Sequence, residues 1–221
     1  EHAELPIFTN EKPLCIQFYK WGLIPNTYRD RVSALSISHK TLNARSETVF
    51  ELPSFKESIT CRRCLIMVDG FYEHHHRNGK TYSFYIQKEN KEPMYIAGIY
   101  DTAKIDGQSI DSVSILTTKG NELMSKIHNN PQMKEARMPV ILDKEDFDQW
   151  FNGKVSDAQH NEISELFQSY NKQALEAYTV NKIRGKGIEK NNEHASDKFQ
   201  YLELPNGLDS IRPGEEQLSL F

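Results

Sequence analysis

Cysteine is scarce in this sequence: Cys15, Cys61 and Cys64 are the only three in 221 residues. An odd, sparse set argues against a disulfide scaffold and fits a reducing compartment, so a cytoplasmic setting is expected. Long apolar runs are also missing. No stretch approaches the ~20 residues that a membrane-spanning helix requires, and no charged-then-apolar leader opens the chain. Positive charge is not in excess: 27 Lys and Arg against 31 Asp and Glu give a net charge of −4. The chain as a whole therefore does not advertise nucleic-acid binding, although an average can conceal a local patch. Two basic patches exist, CRRC at 61–64 and NKIRGKGIEK at 181–190, and each suits a solvated surface as well as it suits a phosphate contact. No internal repeat is visible.

What is present can build a core. Hydrophobic residues make up 38% of the chain, with 11 Phe and 10 Tyr. LCIQFYKWGLIP (14–25) is rich in β-formers and reads as a strand closed by Pro25. CLIMVDGF reads as a second, largely buried strand stopped near Asp69-Gly70. YSFYIQKE (82–89) puts Tyr82, Phe84 and Ile86 on one face, and further strands are expected over 93–101, 111–118 and 138–142. Helices are fewer. Asn121 can cap ELMSKIH, Asp143 can cap KEDFDQWF, and Ser156 with Gln159 forms a possible capping box before Ile163. Short strand connections disfavour a parallel doubly wound sheet. The expected class is α+β, with a curled or barrel-like, mainly antiparallel β core and a few flanking helices. One domain is expected over 1–184, and an irregular tail over 185–221, where Gly, Asn, Glu and Pro replace periodic patterns.

Several residues invite chemistry. Cys61 and Cys64 are spaced C-x2-C, and His74, His75 and His76 follow, but a single such pair is a weak metal signature. The histidines fit a surface periphery around the RNGK turn, and no metal is expected. Glu73 ends an apolar strand beside Phe71 and Tyr72, surroundings that suit a carboxylate to proton transfer; an exposed strand-end glutamate is the plainer alternative. His128 closes a short helix, where the imidazolium would be favoured, or where it would serve as a simple cap. Asn43 and Arg45 offer an amide and a fixed cation side by side, the latter able to hold a phosphate.

The order of WGLIP (21–25), NARSET (43–48), RRCLIMVDGFYE (62–73), AGIYD (97–101), TT and IH (117–128) and RMPVIL (137–142) closely resembles the SOS-response-associated peptidase (SRAP) family. The likeness runs from about residue 14 to about 150. It implies a protein that recognises abasic sites in single-stranded DNA and bonds to them through an N-terminal cysteine, with autopeptidase character and no cofactor. The amine and thiol of such a residue can close a thiazolidine ring on the sugar aldehyde. The resemblance assigns the family's catalytic Asn, Glu and His to Asn43, Glu73 and His128. It assigns phosphate contacts to Arg45 and Arg137, and part of an aromatic wedge at the DNA to Trp21, for which a core position is the alternative. Three departures stand out. The chain opens EHAELPIF rather than with a Cys-Gly-Arg start, so a truncated sequence lacking the nucleophile is expected; Cys15 is no substitute, because its nitrogen lies in a peptide bond. His74 stands where the family has Trp. NNPQMKEA separates His128 from Arg137, where many members have a very short link. Rival readings are a non-catalytic binder of damaged single strands and a cytosolic thiol or zinc hydrolase.

The last five residues, Gln217-Leu218-Ser219-Leu220-Phe221, resemble the peptide by which bacterial proteins dock on the replicative sliding clamp. Gln217 would set register, and Leu218, Leu220 and Phe221 would fill a greasy cleft. PNGLDSIRPGEE supplies a leash; folding back onto the chain's own domain is the alternative. The expected protein is monomeric and has no membrane partner.

Overall fold

The computed structural model describes residues 3–130, 132–152, 155, 160–171, 173–183, 185, 193–204 and 207. The chain divides into two compact units, each assembled from separate stretches of sequence. The first comprises Glu1–Val68, Met94–Thr118 and Pro139–Tyr170, and the second Asp69–Pro93, Lys119–Met138 and Asn171–Phe221.

The first unit is a closed, mixed β-barrel. Its strands are β1 (Glu4–Thr9), β2 (Lys12–Trp21), β4 (Arg63–Val68), β7 (Met94–Ile105) and β8 (Gln108–Lys119). β1 pairs antiparallel with β2 and β4, β4 with β7, and β7 with β8. A short parallel contact of β2 with β8 closes the ring. The three-residue β3 (Asn43–Arg45) adds to β8 in parallel, and β10 (Ile141–Leu142) adds to β7. The β7–β8 hairpin turns on Asp106-Gly107, both at positive φ (49° and 82°), with Ile105 opposite Gln108. This two-residue connection matches the right-handed twist of its strands, and Asp-Gly suits it because both residues tolerate the left-handed region. Helices α1 (Arg31–Ser38), α2 (Lys56–Cys61), α4 (Phe147–Phe151) and α5 (His160–Ser164) complete the unit.

Its main core gathers Leu23, Phe55, Ile59, Leu65, Ile99, Leu116 and Trp150. The spacing of Phe147, Trp150 and Phe151 does make a helix, and it delivers Trp150 fully buried, with its indole N–H donating to the Cys64 carbonyl at 2.9 Å. Beside it lies a surprise from the CRRC patch. Arg63 is not at the surface but 0% exposed. Its guanidinium donates to the carbonyls of Trp150 (2.6 Å), Ile59 (2.9 Å), Thr60 (3.0 Å) and Asn152. Arg62 is ion-paired to Asp101 at 3.2 Å and to Glu57 at 3.0 Å. The two arginines thus serve the interior and its edge instead of a phosphate-binding face. Cys61 Sγ donates to the Glu57 carbonyl, and burial pushes the Cys64 thiol well up.

The second unit is built on an antiparallel sheet in the order β11-β6-β5, from β5 (Gly70–Arg77), β6 (Lys80–Lys88) and β11 (Leu175–Val180). β5 and β6 form a hairpin across Asn78-Gly79, again at positive φ (51° and 72°). Helix α3 (Glu122–Ile127) begins as expected: the Asn121 side chain accepts from Met124 N–H at 2.9 Å. Phe199 N–H donates to the Thr179 carbonyl, and Tyr201 Oη to the Val180 carbonyl, so this stretch packs along β11.

Several expectations need correction. The strand read from CLIMVDGF does stop at Asp69-Gly70, as β4, but Gly70 opens a new strand, β5, which runs through all three histidines to Arg77. His75 is therefore not peripheral; it is 4% exposed. The strand expected over 14–25 stops at Trp21. The one expected over 138–142 is split at Val140 into β9 (Arg137–Pro139) and β10. β1, β3, β11, α1 and α2 were not anticipated. The capping box at Ser156 and Gln159, Arg184 with the Lys186–Lys190 part of the second basic patch, and Gln217 to Phe221 lie outside the described residues. Among the described residues no helix is long and apolar enough to cross a membrane.

Candidate active site

Among the described residues β5 is an edge strand, and its pleat decides which side chains can meet. Phe71, Glu73 and His75 share the face of their partners Ile86, Phe84 and Tyr82, while Tyr72 lies with Tyr85 and Tyr178 on the other. Gly70 is required where β5 begins: a Cβ there would lie 2.4 Å from the Tyr85 ring and 2.6 Å from the Ile86 carbonyl oxygen. Side chains i and i+2 on a strand point the same way, so Glu73 shares its orientation with the buried His75.

His128 arrives from α3. It is that helix's C-cap, with its N–H donating to the Met124 carbonyl at 2.8 Å. Its Nδ1 lies 3.0 Å from Glu73 Oε2, with the two side chains 12% and 24% exposed. At this distance the carboxylate acts on the imidazole first through side-chain hydrogen bonding and then through its charge. The other oxygen, Oε1, accepts from His74 N–H at 2.8 Å. One carboxylate is thereby held at both ends, by a backbone amide and by an imidazole.

Contact with Glu73 raises the His128 pKa above its ordinary value of 6.5, against burial, which lowers it. A hydrogen bond to the Arg137 main chain adds to the rise, and the Arg137 charge subtracts from it. The imidazole is thus biased towards its charged, proton-donating form near neutral pH. Arg137 is itself nearly buried, its Nη1 3.4 Å from Glu135 Oε1, and Glu135 Oε2 lies 3.5 Å from Lys119 Nζ. A carboxylate and an imidazolium in contact, half-shielded from water, form a pair that can pass a proton in either direction.

The first unit carries the other anticipated residues. Asn43 and Arg45 flank the fully buried Ala44 on β3, and strand alternation exposes both on one face. β3 is held in register by Asn43 opposite Ile115 and Arg45 opposite Thr117. Trp21 ends β2 half-buried, with its indole N–H donating to the Leu42 carbonyl at 2.8 Å, one residue before Asn43. The structure therefore joins Glu73, His128 and Arg137 within one unit, and sets Asn43, Arg45 and Trp21 along neighbouring elements of the other.

The profile of the SOS response associated peptidase (SRAP) family matches residues 2–186. The chain belongs to this family. Over 166 residues, 74% of the SRAP chain and 68% of the relative, it is 36% identical to the abasic site processing protein YoqW of Bacillus subtilis. Its fold is similar to the crystal structure of a protein from Bacteroides thetaiotaomicron, with a TM-score of 0.76 and 30% identity over 89% of this chain and 81% of that one. A protein from Bordetella bronchiseptica superposes with a TM-score of 0.67 at 28% identity, covering 81% and 83%.

Two further residues at the site carry no motif. His75 Nδ1 lies 3.2 Å from the Ile127 carbonyl oxygen, and Asn129 bonds both backbone groups of His76. The one sequence hint was an amide directly after a helix-capping histidine.

Proposed function

We propose that this SRAP protein recognises abasic sites in single-stranded DNA and bonds to them covalently through an N-terminal cysteine, a terminus that residues 1–221 do not include. The Glu73–His128 contact at 3.0 Å is the observation that carries this reading, alongside family membership. An opened abasic sugar presents an aldehyde. His128, charged, gives a proton to the sugar ring oxygen as the ring opens. Glu73 accepts a proton from the α-ammonium, the freed amine adds to the aldehyde carbon to form the carbinolamine, and Glu73 returns a proton to its hydroxyl, which leaves as water. The thiol then adds across the C=N bond, forming the C–S bond and a thiazolidine. Asn43 orients the terminal residue, Arg45 and Arg137 hold the flanking phosphates, and Trp21 lies against the DNA. The same acid–base pair serves removal of whatever precedes the cysteine, the autopeptidase character of the assignment. No cofactor enters this chemistry.

The full-length protein, incubated with an oligonucleotide containing one abasic site, should give a slow band that survives a denaturing gel. Initial capture should weaken as salt rises, because phosphate contacts release counterions. Reversible binding with no surviving band, from protein whose terminal cysteine is intact, would leave a non-catalytic binder.

We also propose that Gln217-Leu218-Ser219-Leu220-Phe221 is a docking peptide for the replicative sliding clamp. Its support is the amide followed by three apolar side chains on a polar leash. A chain ending at Glu216 should no longer be retained by immobilised clamp; unchanged retention would refute the assignment.

A further inference from the structure

We propose that Asn129 and His75 are positioning residues for the Glu73–His128 pair, acting as a clasp that ties the free edge of β5 to the turn after α3. The inference rests on the catalytic reading of that pair. All the groups involved belong to the second unit.

Among the described residues, β5 pairs with β6 on one side only. In an antiparallel ladder, alternate residues direct both N–H and C=O away from the partner strand, and on an edge strand these groups need another acceptor and donor. His74 and His76 are such residues. The N–H of His74 is taken by Glu73 Oε1 at 2.8 Å. At His76 both groups are taken by one side chain: N–H donates to Asn129 Oδ1 at 2.7 Å, and Asn129 Nδ2 donates to the carbonyl at 2.7 Å. A primary amide is suited to this, because it offers a donor and an acceptor on one rigid plane and so imitates the missing strand.

Asn129 directly follows His128, so fixing it on His76 places the imidazole beside the edge carrying Glu73. Its own N–H donates to the Ile127 carbonyl at 3.0 Å. The same carbonyl accepts from His75 Nδ1, which therefore carries the ring proton. Burial pushes the His75 pKa down, keeping that ring neutral, and Phe84 packs on it edge-on at 6.3 Å. Ile127 and Asn129, on either side of His128, are thus held by bonds that involve neither Glu73 nor His128. The charged groups that act on His128 are Glu73 from β5 and Arg137 from β9.

The test is an NMR titration of the His128 ring in full-length protein without DNA, together with single-turnover capture of abasic oligonucleotide. Asn129→Ala should move the His128 titration down towards the ordinary imidazole value. It should also slow capture at saturating DNA by roughly 10- to 100-fold, the scale of a misplaced reacting group, with initial DNA affinity unchanged. Adding Asn129→Ala to Glu73→Gln should shift the titration no further. His75→Phe keeps a buried ring and removes one bond, so it should give a smaller shift in the same direction; it carries the test if Asn129→Ala does not fold. An unmoved His128 titration in a folded variant overturns the inference. A shifted titration in a protein that never captures DNA would uphold the clasp and refute the proposed function instead.

Discussion

Glu73→Gln is expected to slow covalent capture of abasic DNA by about 10²–10⁴-fold, the range lost with a positioned acid–base group, while leaving the fold standing. Gln keeps the volume and can still accept from His74 N–H, the bond that Oε1 makes now. What disappears is the negative charge 3.0 Å from His128 Nδ1. The proton acceptor is lost, and so is the main influence raising the His128 pKa. The consequence for stability has a definite sign. A base whose pKa is higher in the folded state stabilises the fold in full below its unfolded pKa, and the contribution is lost as pH rises through the folded value. Between mildly acidic and mildly alkaline pH the parent protein should therefore lose more of this contribution than Glu73→Gln does. Single-turnover gels and urea titrations across that range read both effects. Wild-type capture by the variant would remove Glu73 from the chemistry, and identical pH profiles would remove the coupling.

Arg63→Met should lower stability by about 3–5 kcal/mol, the cost of stranding several buried polar groups, or on the order of 10 °C in Tm for a chain of this size. The four carbonyls that Arg63 serves come from two places. Ile59 and Thr60 lie in the last turn of α2, and Trp150 and Asn152 lie at the end of α4. Helix C-termini leave carbonyls without intrahelical partners and carry partial negative charge, so one cation satisfies both ends at once. Burial pushes the guanidinium down to about 10, still charged at neutral pH. Met fills similar space but donates nothing. Urea unfolding followed by tryptophan fluorescence measures the loss, since Trp150 packs on this site with its ring centroid 5.8 Å from the guanidinium carbon. A loss under about 1 kcal/mol would mean that water replaces the arginine, an outcome typical of surface residues.

The same arginine shows where reading letters fails. CRRC looks like an exposed basic cluster, yet Arg63 opens the buried strand β4 and faces inwards, while Arg62, the cap of α2, turns towards Asp101 and Glu57. Composition cannot separate these cases, because a buried cation depends on carbonyls brought from residues far along the chain. The histidine run misled for a related reason. Asn78-Gly79 was legible as a turn, but β5 lacks a plain apolar alternation, so its extension through His74, His75 and His76 was hidden. β1 and β11 were missed because they are held by cross-strand pairing, β1 with its neighbour β2 and with β4, β11 with the distant β6, more than by their own residues.

Local chemistry alone determined the apolar strands β2, β4, β6, β7 and β8, the Asn-Gly turn, the Asn121 cap and the α+β class, since each depends on residues within a few positions of one another. The ordered motifs singled out Glu73 and His128. Tertiary structure alone decided that they touch, that an asparagine amide closes the strand edge beside them, and that Arg63 faces inwards. Each of those outcomes needs partners dozens of residues away, and only folding of the whole chain brings such partners within hydrogen-bonding distance.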